Sequence, residues 1–120
     1  MGHQKSLLDL SDIVRQFCEA RDWDQYHGPK DLAIGVITEA AELLEHFRFQ
    51  SDEQALELLQ VKKTREEIED ELADVLFFLL RFSQRFNIDL TTALLRKIEK
   101  SDAKYPVEKA KGSNVKYSKL

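Results

Sequence analysis

Apolar residues recur at helical spacing along nearly the whole chain, and only four glycines and two prolines interrupt them. The pattern predicts helices joined by short loops and no strands, an all-α fold. Leu7, Leu10, Ile13, Val14, Phe17 and Cys18 fall on one side of a first helix running from about Leu7 to Arg21. The polar and aromatic run from Asp22 through Trp23 and His27 to Gly28 reads as a loop. Pro29 suits the first position of a second helix, whose apolar pattern continues to Phe47 or Phe49. Residues 51–63 read as a short helix or irregular connection. Thr64-Arg65-Glu66-Glu67 has the form of a capping box for a long third main helix lasting to about Arg85. Asn87-Ile88-Asp89-Leu90 breaks that helix, and Asp89 or Thr91 caps a fourth that ends near Tyr105-Pro106. The expected architecture is a bundle of four main helices plus a connector over residues 1–106, followed by a mostly extended basic tail over residues 107–120.

On a helical wheel at about 100° per residue, Leu32 and Leu43 lie close to Glu39, with Val36, Phe47 and Ala40 just beyond, so Glu39 borders an apolar stripe. Glu42 sits about 60° away and one turn on, and Glu45 continues the acidic row. On the third main helix Phe78, Phe82 and Val75 flank Glu71, which therefore sits inside the apolar face, and Asp74 lies beside Glu67 on an acidic edge. An ionised carboxylate there is costly unless a cation pairs with it. Antiparallel packing of the two apolar faces would bring Glu39, Glu42, Glu71 and Asp74 together.

Four converging carboxylates cannot all ionise without a positive charge, and a hard divalent cation with oxygen ligands meets that need; Mg2+ also leaves positions for water and phosphate. The competing reading is a solvated acidic face, since Glu66, Glu67, Glu69, Asp70 and Glu71 form a run. A di-iron bundle requires Glu-x-x-His, and none occurs, because His46 follows Leu43 and His27 follows Asp24 at that spacing. No Gly-rich phosphate loop and no Ser-His-Asp arrangement is visible.

Composition adds bounds. A chain of 120 residues, 42% hydrophobic and 33% charged, suits one soluble domain. So small a bundle buries a limited core, and association into a dimer or a dimer of dimers is expected, with Phe77, Leu79 or Phe86 facing a neighbour. The lone Cys18 allows no intrachain disulfide, and neither a secretory signal nor a membrane-spanning run is visible, so a cytoplasmic location is expected. Met1-Gly2-His3-Gln4-Lys5-Ser6 matches a loose myristoylation pattern and is set aside as chance. The net charge of −4 is split, with eight Lys/Arg against three Asp/Glu in the last 25 residues and ten against nineteen before them. An acidic body argues against nucleic acid as a partner, while a basic tail suits a polyphosphate.

Glu39-x-x-Glu42, 28 intervening residues and then Glu71-x-x-Asp74 resembles the metal motif of the MazG-like all-α nucleoside triphosphate pyrophosphohydrolases. The run from Ala20 through Trp23 and His27 to Pro29, then Glu71-Leu72-Ala73-Asp74-Val75-Leu76, Lys97, Lys104-Tyr105-Pro106 and Lys116-Tyr117-Ser118 resembles the dCTP pyrophosphatase branch. The resemblance implies hydrolysis of a deoxynucleoside triphosphate, dCTP or a related or modified one, to the monophosphate and pyrophosphate in nucleotide-pool cleaning. It implies Mg2+ held by Glu39, Glu42, Glu71 and Asp74, with Glu39, Glu42 or Glu45 taking the proton of the attacking water. It further implies a base pocket from Trp23, His27, Phe49 and Phe78, and phosphate or sugar contacts from Lys97, Ser101, Lys104 and Tyr105. Ser101 stands where the family usually has asparagine, a departure that bears on substrate choice. The alternatives are a sibling activity on dUTP or phosphoribosyl-ATP, and a non-catalytic helical interaction module.

Overall fold

The structure, a computed structural model, describes residues 4–120, so the start of the myristoylation-like pattern, Met1-Gly2-His3, lies outside the described residues. Six helices follow in order: α1 (Leu7–Ala20), α2 (Pro29–Glu45), α3 (Asp52–Leu58), α4 (Lys62–Arg85), α5 (Leu90–Lys104) and α6 (Val107–Ala110). Single 3-10 turns stand at Asp24–Tyr26 and Tyr117–Lys119. The described residues contain no strand, as the apolar spacing predicts. No helix among them is long and apolar enough to cross a membrane. The chain divides into two compact units, Met1–Asn87 and Ile88–Leu120.

Local chemistry sets the helix boundaries. Ser6 and Asp9 form a reciprocal capping box at the start of α1, and Ser51 and Gln54 form another at α3. Both have the sequence signature, which the periodicity reading passed over. The capping box expected at Thr64 does not form. Helix α4 starts earlier, at Lys62 after Val61, and the Thr64 hydroxyl donates to the carbonyl oxygens of Leu58 and Val61, stapling the α3–α4 joint. Asn87, at φ 54°, ends the helical path after Phe86, and the Asp89 carboxylate caps α5 by accepting from the Thr92 amide at 3.1 Å. The segment after Pro106, expected to be mostly extended, instead contains α6 and a final 3-10 turn.

In the first unit α4 is the central element, packed on α2 and on α1. The order of contacts shows that α2 and α4 are antiparallel. His27, just before α2, meets Arg81; Gly35 meets Phe78; His46, just after α2, meets Glu71. Among the described residues, Cys18, Leu32, Ile68 and Leu80 are the buried apolar ones. Of the side chains expected on the α2 stripe, Leu32 is buried and Val36, Leu43 and Phe47 are half-buried, whereas Ala40 is exposed.

At Gly35 the helices approach so closely that an added Cβ would lie 2.5 Å from the Phe78 ring. Alanine in place of glycine favours a helix by about 1 kcal/mol. Overpacking a rigid ring costs about 1–3 kcal/mol, so the clash wins. Gly35→Ala is expected to lower Tm by roughly 3–6 °C in a melt followed by circular dichroism. An unchanged or higher Tm would show that α2 and α4 can separate freely at this point.

Candidate metal centre and base loop

The antiparallel pairing of α2 and α4 brings the four acids together. Glu39 and Glu42 from α2 and Glu71 and Asp74 from α4 each offer an oxygen, all within 4.8 Å of one another. Three of the four are half-buried and Asp74 is exposed. Glu39 Oε2 and Glu71 Oε2 are buried and find no hydrogen-bond partner among the described residues. Buried acceptors are almost always satisfied, so two orphaned oxygens in one cluster point to a partner of another kind. Nor does a lysine or arginine pair with any of the four among the described residues.

Glu39 shows the electrostatic consequence. Its carboxyl is raised from an ordinary 4.5 to about 7, chiefly by burial. The Glu42 carboxylate beside it comes next, since it would share a proton carried by Glu39, followed by the charges of Glu42, Asp74 and Glu71. Crowded oxygen donors, unpaired and partly desolvated, fit a hard divalent cation. Glu45 is exposed at the end of α2 and is not one of the four.

His46 is the neighbour that the sequence reading missed. Its Nε2 lies 3.5 Å from Glu71 Oε1, on the opposite side of the carboxylate from the orphaned Oε2. One turn beyond Glu42 on the same helical edge, it had a signal in its spacing, obscured by the search for Glu-x-x-His alone.

The loop before α2 is anchored from α4 by Arg81, which is 1% exposed. Its Nε donates to His27 Nδ1 at 2.7 Å, its Nη1 to Gln84 Oε1 at 2.7 Å, and its Nη2 to Asp24 Oδ1. Arg85 stands 3.7 Å from the same Asp24 carboxylate. The Arg81 hydrogen bond is the main cause holding Asp24 below the usual carboxylate range. Gln84 in turn donates to the Ser11 carbonyl and hydroxyl oxygens, tying α1 to α4.

Aromatic rings continue from the loop to the α2–α4 contact. His27 and Trp23 lie 6.1 Å apart, Trp23 and Phe17 5.6 Å, Phe17 and Phe77 6.0 Å, and Phe77 and Phe78 5.4 Å, all edge to face. Phe77 thus has ring neighbours on both sides within this chain, while Leu79 and Phe86 are exposed. Phe49 is 84% exposed beyond α2, with the Arg48 guanidinium 4.6 Å over its ring, and it does not join this series.

The basic residues belong to the second unit. Lys97 is exposed on α5 and Ser101 half-buried. Lys104 Nζ lies 4.8 Å over the Tyr117 ring, and Tyr105 meets Tyr117 edge to face at 6.0 Å.

Residues 34–120 match the model of the MazG-like family. The chain is 32% identical to dCTP pyrophosphatase 1 of Rattus norvegicus over 98% of its own length and 69% of that protein. The Homo sapiens dCTP pyrophosphatase 1 is 31% identical over the same shares. Among solved structures, a pyrophosphatase from Archaeoglobus fulgidus superposes with a TM-score of 0.78 at 40% identity, covering 88% of this chain and 97% of that one.

Proposed function

Because the chain belongs to the MazG-like family, we propose that it hydrolyses a deoxynucleoside triphosphate, dCTP or a base-modified relative, to the monophosphate and pyrophosphate with Mg2+. It is a nucleoside triphosphate pyrophosphohydrolase with an acidic site suited to a divalent metal. The single observation that carries the site assignment is the pair of orphaned oxygens on Glu39 and Glu71 within the four-acid cluster.

Glu39, Glu42, Glu71 and Asp74 hold the cation. When bound, a divalent metal supplies charge neutralisation at the phosphate oxygens, where such reactions need it. Water attacks the α-phosphorus, the bond to the β-phosphate oxygen breaks, and pyrophosphate leaves with the electron pair. The water's proton passes to a carboxylate of α2, with Glu39, Glu42 and Glu45 as the candidates. Trp23 and His27 shape the base pocket, and Phe78 borders it. From the family resemblance, Phe49 in the first unit and, separately, Lys97, Ser101, Lys104 and Tyr105 in the second are assigned to substrate contacts.

The cytoplasm, which holds the substrate pool, is the compartment this reading entails. A homo-oligomer, a dimer or a dimer of dimers, would cover exposed apolar side chains of α4 such as Leu72, Leu76 and Leu79, together with Phe86 just after it. Light scattering coupled to size exclusion checks this, and a monomer at working concentration would contradict it.

Pyrophosphate release measured over the common deoxynucleoside and ribonucleoside triphosphates with Mg2+ tests the activity, with Glu42→Gln as the control. Turnover of dCTP or a modified pyrimidine triphosphate above the others is expected. Inactivity on every one of them would reject the proposal.

A further inference from the structure

Full burial of an arginine calls for a reason beyond anchoring a loop. Asp24 already has Arg85 beside it, and Arg85 also donates to the His27 and Asp24 carbonyl oxygens at 3.4 Å each. What Arg81 adds is the 2.7 Å contact from Nε to His27 Nδ1. A guanidinium never gives up its proton, so this contact is a hydrogen bond only when Nδ1 carries a lone pair. In a neutral imidazole the proton then resides on Nε2. A doubly protonated ring would set two donors against each other beside a buried cation.

We propose that Arg81 is a positioning residue for nucleobase recognition, committing His27 to the Nε2–H tautomer so that it meets the base only as a hydrogen-bond donor. The inference rests on the reading of His27 as part of the base pocket. His27 then pairs with a carbonyl oxygen or a ring nitrogen of the base and not with an exocyclic amine. The surroundings support a neutral ring. Burial first, and then the charges of Arg81 and Arg85, push His27 below its ordinary 6.5, with Asp24 and Asp31 pulling the other way. Trp23 fixes the ring from its flank by the edge-to-face contact.

The test combines nitrogen-15 NMR of the imidazoles with steady-state kinetics, on the full chain. The His27 signals are assigned by their loss in His27→Gln. The wild type is expected to show His27 as a neutral Nε2–H tautomer at pH 7.5. Arg81→Gln offers an amide that can donate or accept, so both tautomers become populated. Its KM for the best substrate is expected to rise about fivefold to tenfold, the loss of one directed hydrogen bond, with kcat within about twofold of wild type. A purely structural role would lower active-enzyme content and leave KM unchanged.

A wild-type ring carrying its proton on Nδ1 overturns the inference, and so does a released tautomer with unchanged KM. If Arg81→Gln fails to fold, the wild-type spectrum decides the tautomer, and Arg81→Met, which removes the donor while filling much of the same space, gives the kinetic readout, with the same rise in KM of about fivefold to tenfold expected and an unchanged KM overturning the inference. A wild-type protein inactive on every deoxynucleoside triphosphate defeats the proposed function and the base contact together. Normal turnover with the wrong tautomer defeats this inference alone.

Discussion

Glu71→Gln is expected to lower deoxynucleoside triphosphate hydrolysis at least about a hundredfold while raising the melting temperature of the metal-free protein. The Glu71 side chain is only 20% exposed, and its Oε2 is buried without a partner. Oxygens of three further acids lie within 4.8 Å. Without a cation these like charges repel in a partly desolvated site, so the acid is held against the interest of folding. Glutamine keeps the shape, removes one charge, and brings an amide able to donate to the orphaned Glu39 Oε2. A gain of about 1 kcal/mol corresponds to roughly 3–6 °C in Tm. The stabilisation that Mg2+ confers on the wild type, set by mass action, should shrink to near zero in the variant. Melting curves with and without MgCl2 measure both effects. A lower metal-free Tm with the magnesium increment intact would mean that Glu71 serves the fold and not a cation.

Magnesium affinity is expected to fall about tenfold for each pH unit below about 7, because a proton on Glu39 competes with the metal for the same carboxylate. Burial and the neighbouring acids raise that carboxyl in the folded state from an ordinary 4.5. A raised folded value means that the native protein holds the proton more tightly than the unfolded chain does. The resulting stability is fully present below 4.5 and is lost as pH rises through about 7. The metal-free protein should therefore melt at progressively lower temperature across that window, while the increment on adding Mg2+ grows. Melts in chelator and in MgCl2 from pH 5 to 8 display the divergence. Parallel curves would show that Glu39 is not a ligand.

The convergence of the four acids was legible because two helices each carry an acid on the wrong face. Glu71 among Phe78, Phe82 and Val75 is an anomaly that helical periodicity alone exposes, and the antiparallel pairing then brings it to Glu39. What stayed hidden depends on contacts between distant parts of the chain. Arg81 reaches His27 across 54 residues, and in the run Phe77-Phe78-Leu79-Leu80-Arg81-Phe82 a charged residue gives no sign of which loop it will hold. The Thr64 capping box failed for a similar reason. The pattern was local, but the α3–α4 joint offered its hydroxyl two carbonyl oxygens and let the helix begin a turn earlier. Phe49, read as a pocket aromatic through resemblance, sits beyond the last turn of α2, outside the ring series that Trp23 and Phe78 share.

The basic C-terminal segment folds more than its composition suggested. Its Tyr117 meets Tyr105 at the end of α5 and lies under the Lys104 ammonium, which holds the last turn against α5.

Hydrolysis of dCTP in oxygen-18 water with Mg2+, the products separated and weighed by mass spectrometry, tests the central claim most directly. Attack at the α-phosphorus predicts one heavy oxygen in dCMP and none in pyrophosphate. Label in pyrophosphate, release of dCDP and phosphate, or retention of full activity by Glu71→Gln in the same assay would contradict it.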